Sequence, residues 1–328
     1  MAFDTKWKGI QPSDILISLL ALALVLYLID PAKTLAILLK ANPVWILAGA
    51  FFYSLTMLSM GWRLSFILSF VGEKLSLARG FISNAAGLLA SDLTPARSGY
   101  FVVPFLLERH DKIALEKGMI AIISPQILDF FLKAVVAVAG IVFLISVQPS
   151  LENNALMLYG GAVVMLGFSV AMAVLLFVPK ALELAKPLFF FFPLAQKVYE
   201  FIRTLQANRA KVLPIFPYIF LLSFFNFAVK GAEWFCLGTA LGITFNTTAL
   251  HPVLIFMMLQ ALISAFQFVP TPTVAGLGLA EGGAAASMVL LGVEPTLAVA
   301  FLLLTRAVTT LMDCIGFAEL ATILRKEK

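Results

Sequence analysis

Eight ionisable residues fall within long apolar surroundings: Arg97, Asp129, Lys133, Lys230, Glu233, Glu281, Arg306 and Asp313, four positive and four negative. A charge buried in hydrocarbon costs at least about 2.5–3.5 kcal/mol on insertion scales, so these side chains are expected to face one another or water. Asp129 and Lys133 stand four apart, Lys230 and Glu233 three apart, and Arg306 and Asp313 seven apart, so each set shares one helical face. Two roles are open to them, contact with a substrate or mutual neutralisation that holds helices in register. Lys230 with Glu233 suits the second. Glu281 also suits the positive N-terminal end of a half-helix, and Asp92 suits a cap. Arg97 and Arg306 suit the first, because a guanidinium presents a fork that matches phosphate.

Other chemistry has thin support. His110 and His251 have no partner at ligand or triad spacing. Gly276-Leu277-Gly278 lacks the strand-turn-helix context of a dinucleotide site, and there is no phosphate-loop lysine. Cys236 and Cys314 form no CxxC pair and read as buried thiols. The expectation is a protein that is not an enzyme, with no catalytic residues, metal or cofactor.

The surroundings of those charges set the class. Of 328 residues, 61% are hydrophobic and 12% charged, and several apolar runs are long enough to cross a hydrocarbon core of about 30 Å. This composition predicts an all-α polytopic membrane protein whose length is consumed by its spans, leaving no soluble catalytic domain. The net charge of +5 is read as basic cytoplasmic loops, not as a nucleic-acid surface. The first apolar run, 15–29, ends at Asp30-Pro31 without a small-residue cleavage pattern, so it is expected to remain as a helix.

Helices are predicted over 14–30, 43–62, 119–147, 155–178, 213–241 and 296–324, with Arg63 closing the second at the interface. A connector carrying Lys33 and Lys40 precedes that helix, and 108–117 reads as a charged loop. Two apolar segments are interrupted. In 81–107 the break contains Thr94, Pro95 and Gly99; between the arms 250–269 and 279–291 it contains Pro270, Thr271, Pro272, Gly276 and Gly278. Proline removes a backbone donor and glycine admits positive φ, so neither segment is expected to run as one helix. A break at membrane depth needs protein or a water-filled cavity around it, which is how transport sites are often built. A proline kink, or an ordinary loop between two spans, is the other reading.

The halves align at an offset of 177 residues, which sets Thr94-Pro95 on Thr271-Pro272, Gly99 on Gly276 and Asp129 on Arg306. The order helix, broken hairpin, helix recurs over about 36–147 and 213–324, joined by a basic amphipathic connector over about 180–211. With the N-terminus inside, 17 of the 23 Lys and Arg are cytoplasmic, two external and four within the membrane. The two hairpins then open from opposite sides. This predicts two inverted-topology repeats, each containing a broken re-entrant hairpin, in a multi-pass cell-membrane protein with both termini cytoplasmic.

The residues Pro270-Thr271-Pro272, Gly276, Gly278, Glu281, Gly292-Val293, Ala298 and Arg306 resemble the transmembrane region of the lysylphosphatidylglycerol synthase family. Thr94-Pro95-Ala96-Arg97-Ser98-Gly99 is similar to that family's earlier Pro-Gly-x-x-Gly-Glu element, with Glu108-Arg109 and Asp129 following, and the similarity runs from about Trp45 to Gly316. Tyr100 replaces the family's usual Glu and Ala96 a Gly; the second break is two residues longer, and Pro125-Gln126 stand where an Arg is common. The family's soluble aminoacyl-transfer domain is expected to be absent. The resemblance implies a stand-alone module that flips a lipid.

The preferred expectation is a flippase-type transporter for a polar or phosphate-bearing membrane lipid, with substrate contacts among the eight charges and a coupling ion as a further partner. An ion-coupled carrier of a small soluble solute is the alternative, and a membrane-embedded lipid-modifying enzyme a third. A cavity open sideways to the bilayer favours the first reading and an enclosed one the second.

Overall fold

The long helices begin and end where local chemistry places the ends. A computed structural model of the chain describes residues 31–92, 94–189, 199, 202–247, 249–267 and 279–324. The expected helix over 14–30 lies outside the described residues. In order come α1 (Pro31–Leu39), α2 (Pro43–Phe70), α3 (Leu77–Asp92), a 3-10 helix (Pro95–Val102), α4 (Val103–Asp111), α5 (Leu115–Val147) and a 3-10 turn (Pro149–Asn154). Then follow α6 (Ala155–Phe177), α7 (Pro179–Phe189), short helical turns at Arg209–Val212 and Leu213–Ile215, and α8 (Phe216–Ala240). The chain closes with α9 (Pro252–Gln267), α10 (Leu279–Leu290), α11 (Pro295–Asp313), a 3-10 turn (Cys314–Gly316) and α12 (Phe317–Leu324).

Asn42 caps α2 by accepting the Val44 N–H at 3.0 Å, with Pro43 at the first helical position where no donor is needed. Glu294 caps α11 in the same way, accepting the Leu297 N–H at 3.0 Å, and takes the Lys33 ammonium of α1 at 3.0 Å. Desolvation pushes the Glu294 carboxyl up, but the bonds from Lys33, Thr296 and Leu297 outweigh it and hold the group below its ordinary value.

Among the described residues, five helices are long and apolar enough to cross a membrane: Pro43–Phe70, Leu115–Val147, Tyr159–Phe177, Arg209–Ala240 and Pro295–Thr322. Their outward faces carry exposed Leu47, Phe51, Val142, Val163 and Leu221, an apolar exterior suited to lipid. The protein is thus a multi-pass, all-helical membrane protein, with no strand among the described residues. The most extensive helix contact is α2 on α8. Around it, α3 packs on α2 and α9 on α8; α4 packs on α5 and α10 on α11; α9 lies against α5 while α3 lies against α11 and the turn that follows it.

Several boundaries differ from the sequence expectation. The second helix continues past Arg63 to Phe70, because that arginine is buried and paired instead of sitting at an interface. Residues 108–117 are mostly helix ends, with only 112–114 between α4 and α5, since Lys112 adopts a left-handed φ of 58° that stops α4 abruptly. The connector carrying Lys33 is helical over Pro31–Leu39. The final helix tightens at Cys314–Gly316, where Gly316 meets the backbone of Ala85 and Ala86 so closely that no Cβ fits. Cys236 is buried as expected, whereas Cys314 is exposed.

The first predicted break is present. After Asp92 the helix stops, and Thr94 supplies what the interrupted backbone lacks: its hydroxyl donates to the Ala90 carbonyl at 3.0 Å and accepts the Gly99 N–H at 2.6 Å. Gly99 rests on the Ala90 carbonyl with no room for a Cβ, so the chain folds back closely along α3. The second break, with Pro270, Thr271, Pro272, Gly276 and Gly278, lies outside the described residues; its arms α9 and α10 pack on each other.

Candidate functional site

A cavity of about 500 Å³ lies among α2, α3, α5, α6, α8, α9 and α11. Helical spacing lines up the side chains that face it. On α2 these are Tyr53, Thr56, Met60 and Arg63; on α5, Gln126, Asp129, Phe130 and Lys133; on α8, Ser223, Asn226, Phe227, Lys230 and Trp234; on α11, Leu302, Thr305, Arg306, Thr309 and Asp313. With Leu132 of α5 as an addition, each set follows the three- and four-residue spacings that place side chains on one helix face. The wall sets charged and hydroxyl side chains among apolar ones such as Leu88, Phe227 and Ile263, in the middle of helices whose outer faces are apolar. Such an interior is the arrangement that lets ionisable groups persist at membrane depth.

Of the eight charges singled out in the sequence, Asp129, Lys133, Lys230, Arg306 and Asp313 line this cavity. Glu233 is fully buried beside it and binds Lys230, with Nζ 2.9 Å from Oε1 and 2.7 Å from Oε2, as the i,i+3 spacing predicts. The side chains of Arg97 and Glu281 lie outside the described residues; their backbones belong to the 3-10 helix and to α10.

Asp129, which shares its face of α5 with Lys133, also has a strong partner on another helix. Arg63 grips Asp129 through two parallel bonds of 2.9 and 3.0 Å and donates a third, of 2.8 Å, to Ser223. The planar fork matches the carboxylate geometry, which a lysine cannot do. Lys133 stands one turn further along the same face of α5. Asp313, on the same helix as Arg306, also takes a partner from α2: both of its oxygens accept from the Tyr53 hydroxyl, at 2.7 and 2.9 Å. Lys230 sits 4.3 Å from the Tyr53 ring centroid, so Tyr53 links an ammonium from α8 to a carboxylate from α11. Asp92, read from sequence as a cap, accepts the Thr310 hydroxyl at 3.0 Å and ties α3 to α11.

Sequence reasoning therefore missed Arg63 and Tyr53. A signal for Arg63 was available, since 64–71 is apolar apart from two serines and extends the helix beyond it. Tyr53, Asn226 and Gln260 carry no such signal, because a neutral polar residue in an apolar helix is common.

A second ionic cluster closes one end of the bundle. Arg79 donates to Asp111 at 3.0 and 2.8 Å and to Glu319 at 2.6 and 2.8 Å, binding α3 to α4 and α12. Ser83 adds a bond to Glu319 at 2.9 Å. At the opposite end the Lys33–Glu294 pair joins α1 to α11.

Among the described residues, no group of His, Cys, Asp and Glu could hold a metal ion. The cavity offers instead a mixed-charge, hydroxyl-rich wall that can hold a polar group by hydrogen bonds and ion pairing. Part of that wall reaches the outer surface, for Phe101 and Phe168 both line the cavity and are 42% and 46% exposed.

A search of curated protein sequences finds no match to the chain. The family model described as the lysylphosphatidylglycerol synthase TM region matches residues 14–316, nearly all of the sequence, and the protein belongs to that family.

Proposed function

We propose that this protein is a flippase-type transporter that carries a polar, phosphate-bearing lipid headgroup through the cavity while the acyl chains remain in the bilayer, without covalent change to the lipid. The observation that carries this reading is a cavity between membrane-length helices that mixes charged and apolar side chains and whose wall continues to the apolar exterior at Phe101 and Phe168. A soluble solute has no need of a side opening, whereas a lipid cannot load without one. The family membership agrees with a role in lipid handling.

The transport architecture in this reading is a pair of inverted repeats. Reciprocal packing supports it, since each first arm (α3, α9) lies against the other unit's last long helix (α11, α5). So does register: α3 (Leu77–Asp92) shifted by 177 falls at 254–269, beside α9 (Pro252–Gln267), and α4 (Val103–Asp111) falls at 280–288, within α10 (Leu279–Leu290). Left-handed residues also recur, Gly72 and Gly242 after the first long helices, Lys112 and Gly292 after the second arms. The hairpins enter from opposite faces, with Arg79 and its partners at the cytoplasmic end and Glu294 outside. Both termini are then cytoplasmic, so cysteines at Asn153 and Lys326 are expected to react with an impermeant thiol reagent from opposite sides. Labelling of both from one side would refute this topology.

The function is tested by reconstituting the protein in vesicles and following movement of labelled phospholipids between leaflets. The expected result is protein-dependent acceleration for phosphate-bearing lipids. No acceleration across a headgroup panel, together with accumulation of a soluble solute, would overturn it.

A further inference from the structure

Beside the charged part of the cavity stands a wall of neutral polar groups with nothing to bind. Both amide atoms of Asn226, the indole N–H of Trp234 and Oε1 of Gln260 are buried and have no hydrogen-bond partner among the described residues. Asn226 and Trp234 are only 8% and 5% exposed. Asn226, Lys230 and Trp234 recur every four residues on α8, so they occupy one face; Gln260 comes from α9, which packs on α8, and all four line the cavity. Native interiors rarely leave such atoms unsatisfied, and three side chains in that condition around one cavity point to a missing partner. The chemistry of the set narrows the partner. A phosphate or carboxylate accepts only, and an ammonium donates only. The wall holds amide and indole donors together with amide carbonyl acceptors, and a hydroxyl, which does both, matches it.

We propose that this wall is a hydroxyl-reading subsite of the headgroup cavity, and that the cargo is a lipid with a polyol or sugar headgroup whose phosphate lies toward Arg306. The inference rests on the lipid-transport reading above and adds the headgroup class to it.

The test compares two lipids of the same charge, phosphatidylinositol and phosphatidylethanol, which differ in whether the headgroup carries hydroxyls beyond its phosphate. Binding to the purified full chain in detergent is measured by native mass spectrometry. The wild type is expected to bind phosphatidylinositol about tenfold more tightly. Asn226→Leu with Gln260→Met should bring that affinity down to the level of phosphatidylethanol and leave the latter unchanged. Because these replacements remove unsatisfied polar atoms at similar volume, the double variant should melt at or above the wild-type temperature. Where it fails to fold, Trp234→Phe, which removes one N–H and keeps an aromatic ring, should reduce the preference about threefold. Equal wild-type affinities, or a preference that survives in a folded variant, would overturn the hydroxyl subsite while leaving lipid transport standing. Binding of neither lipid would overturn both.

Discussion

Arg63→Ala is expected to be among the most damaging single substitutions in this protein. It leaves Asp129 in a membrane interior without the guanidinium that holds both of its oxygens. Breaking a buried pair from one side typically costs about 3–5 kcal/mol, because the remaining charge is uncompensated. The expected readout is a large loss of monodisperse protein and of thermal stability in detergent. Arg63→Leu combined with Asp129→Leu removes both charges, and well-packed apolar pairs often replace buried ion pairs at little cost. The double variant should therefore recover its fold. Its translocation rate should nonetheless fall about tenfold or more, since a polar part of the cavity wall becomes apolar. An Arg63→Ala protein as stable as the wild type would mean that α2 and α5 are not joined in this way.

The second large effect concerns Arg306, which lines the cavity from α11 in a half-buried position. Arg306→Lys keeps the charge and loses the planar fork that engages phosphate through two bonds. A hydrogen bond to a charged group contributes about 1.5–3 kcal/mol, so translocation of a phosphate-bearing lipid should drop by about ten- to a hundredfold with melting temperature unchanged. The tertiary contacts dictate the control. Because Asp313 accepts from Tyr53, truncating it to Ala would strand that hydroxyl, whereas Asp313→Asn retains an acceptor. Arg306→Lys that transports at the wild-type rate, beside an equally active Arg306→Ala/Asp313→Asn, would reduce these residues to scaffold.

The membrane class, the long spans, the Thr94-Pro95 break and five of the charges that line the cavity were legible along the chain. Each depends on local properties: hydropathy summed over a window, a missing proline donor, a charge where hydrocarbon is expected. The Lys230–Glu233 pair was legible for the same reason, since both ends lie on one turn of one helix. Arg63 as a partner of Asp129 and Tyr53 as a partner of Asp313 were not. Spacing within a helix states which residues share a face, but not how deep or at what rotation a second helix presents its own. Lys133 shares the face of Asp129 along α5, and α2 adds a two-bond guanidinium whose geometry exists only once α2 and α5 are packed. Tyr53 is a neutral residue in an apolar helix, and only the packing that sets it between Lys230 and Asp313 gives it two charged neighbours. The unsatisfied amides of Asn226 and Gln260 are further still from the sequence, because whether a polar group has a partner depends on every surface folded around it.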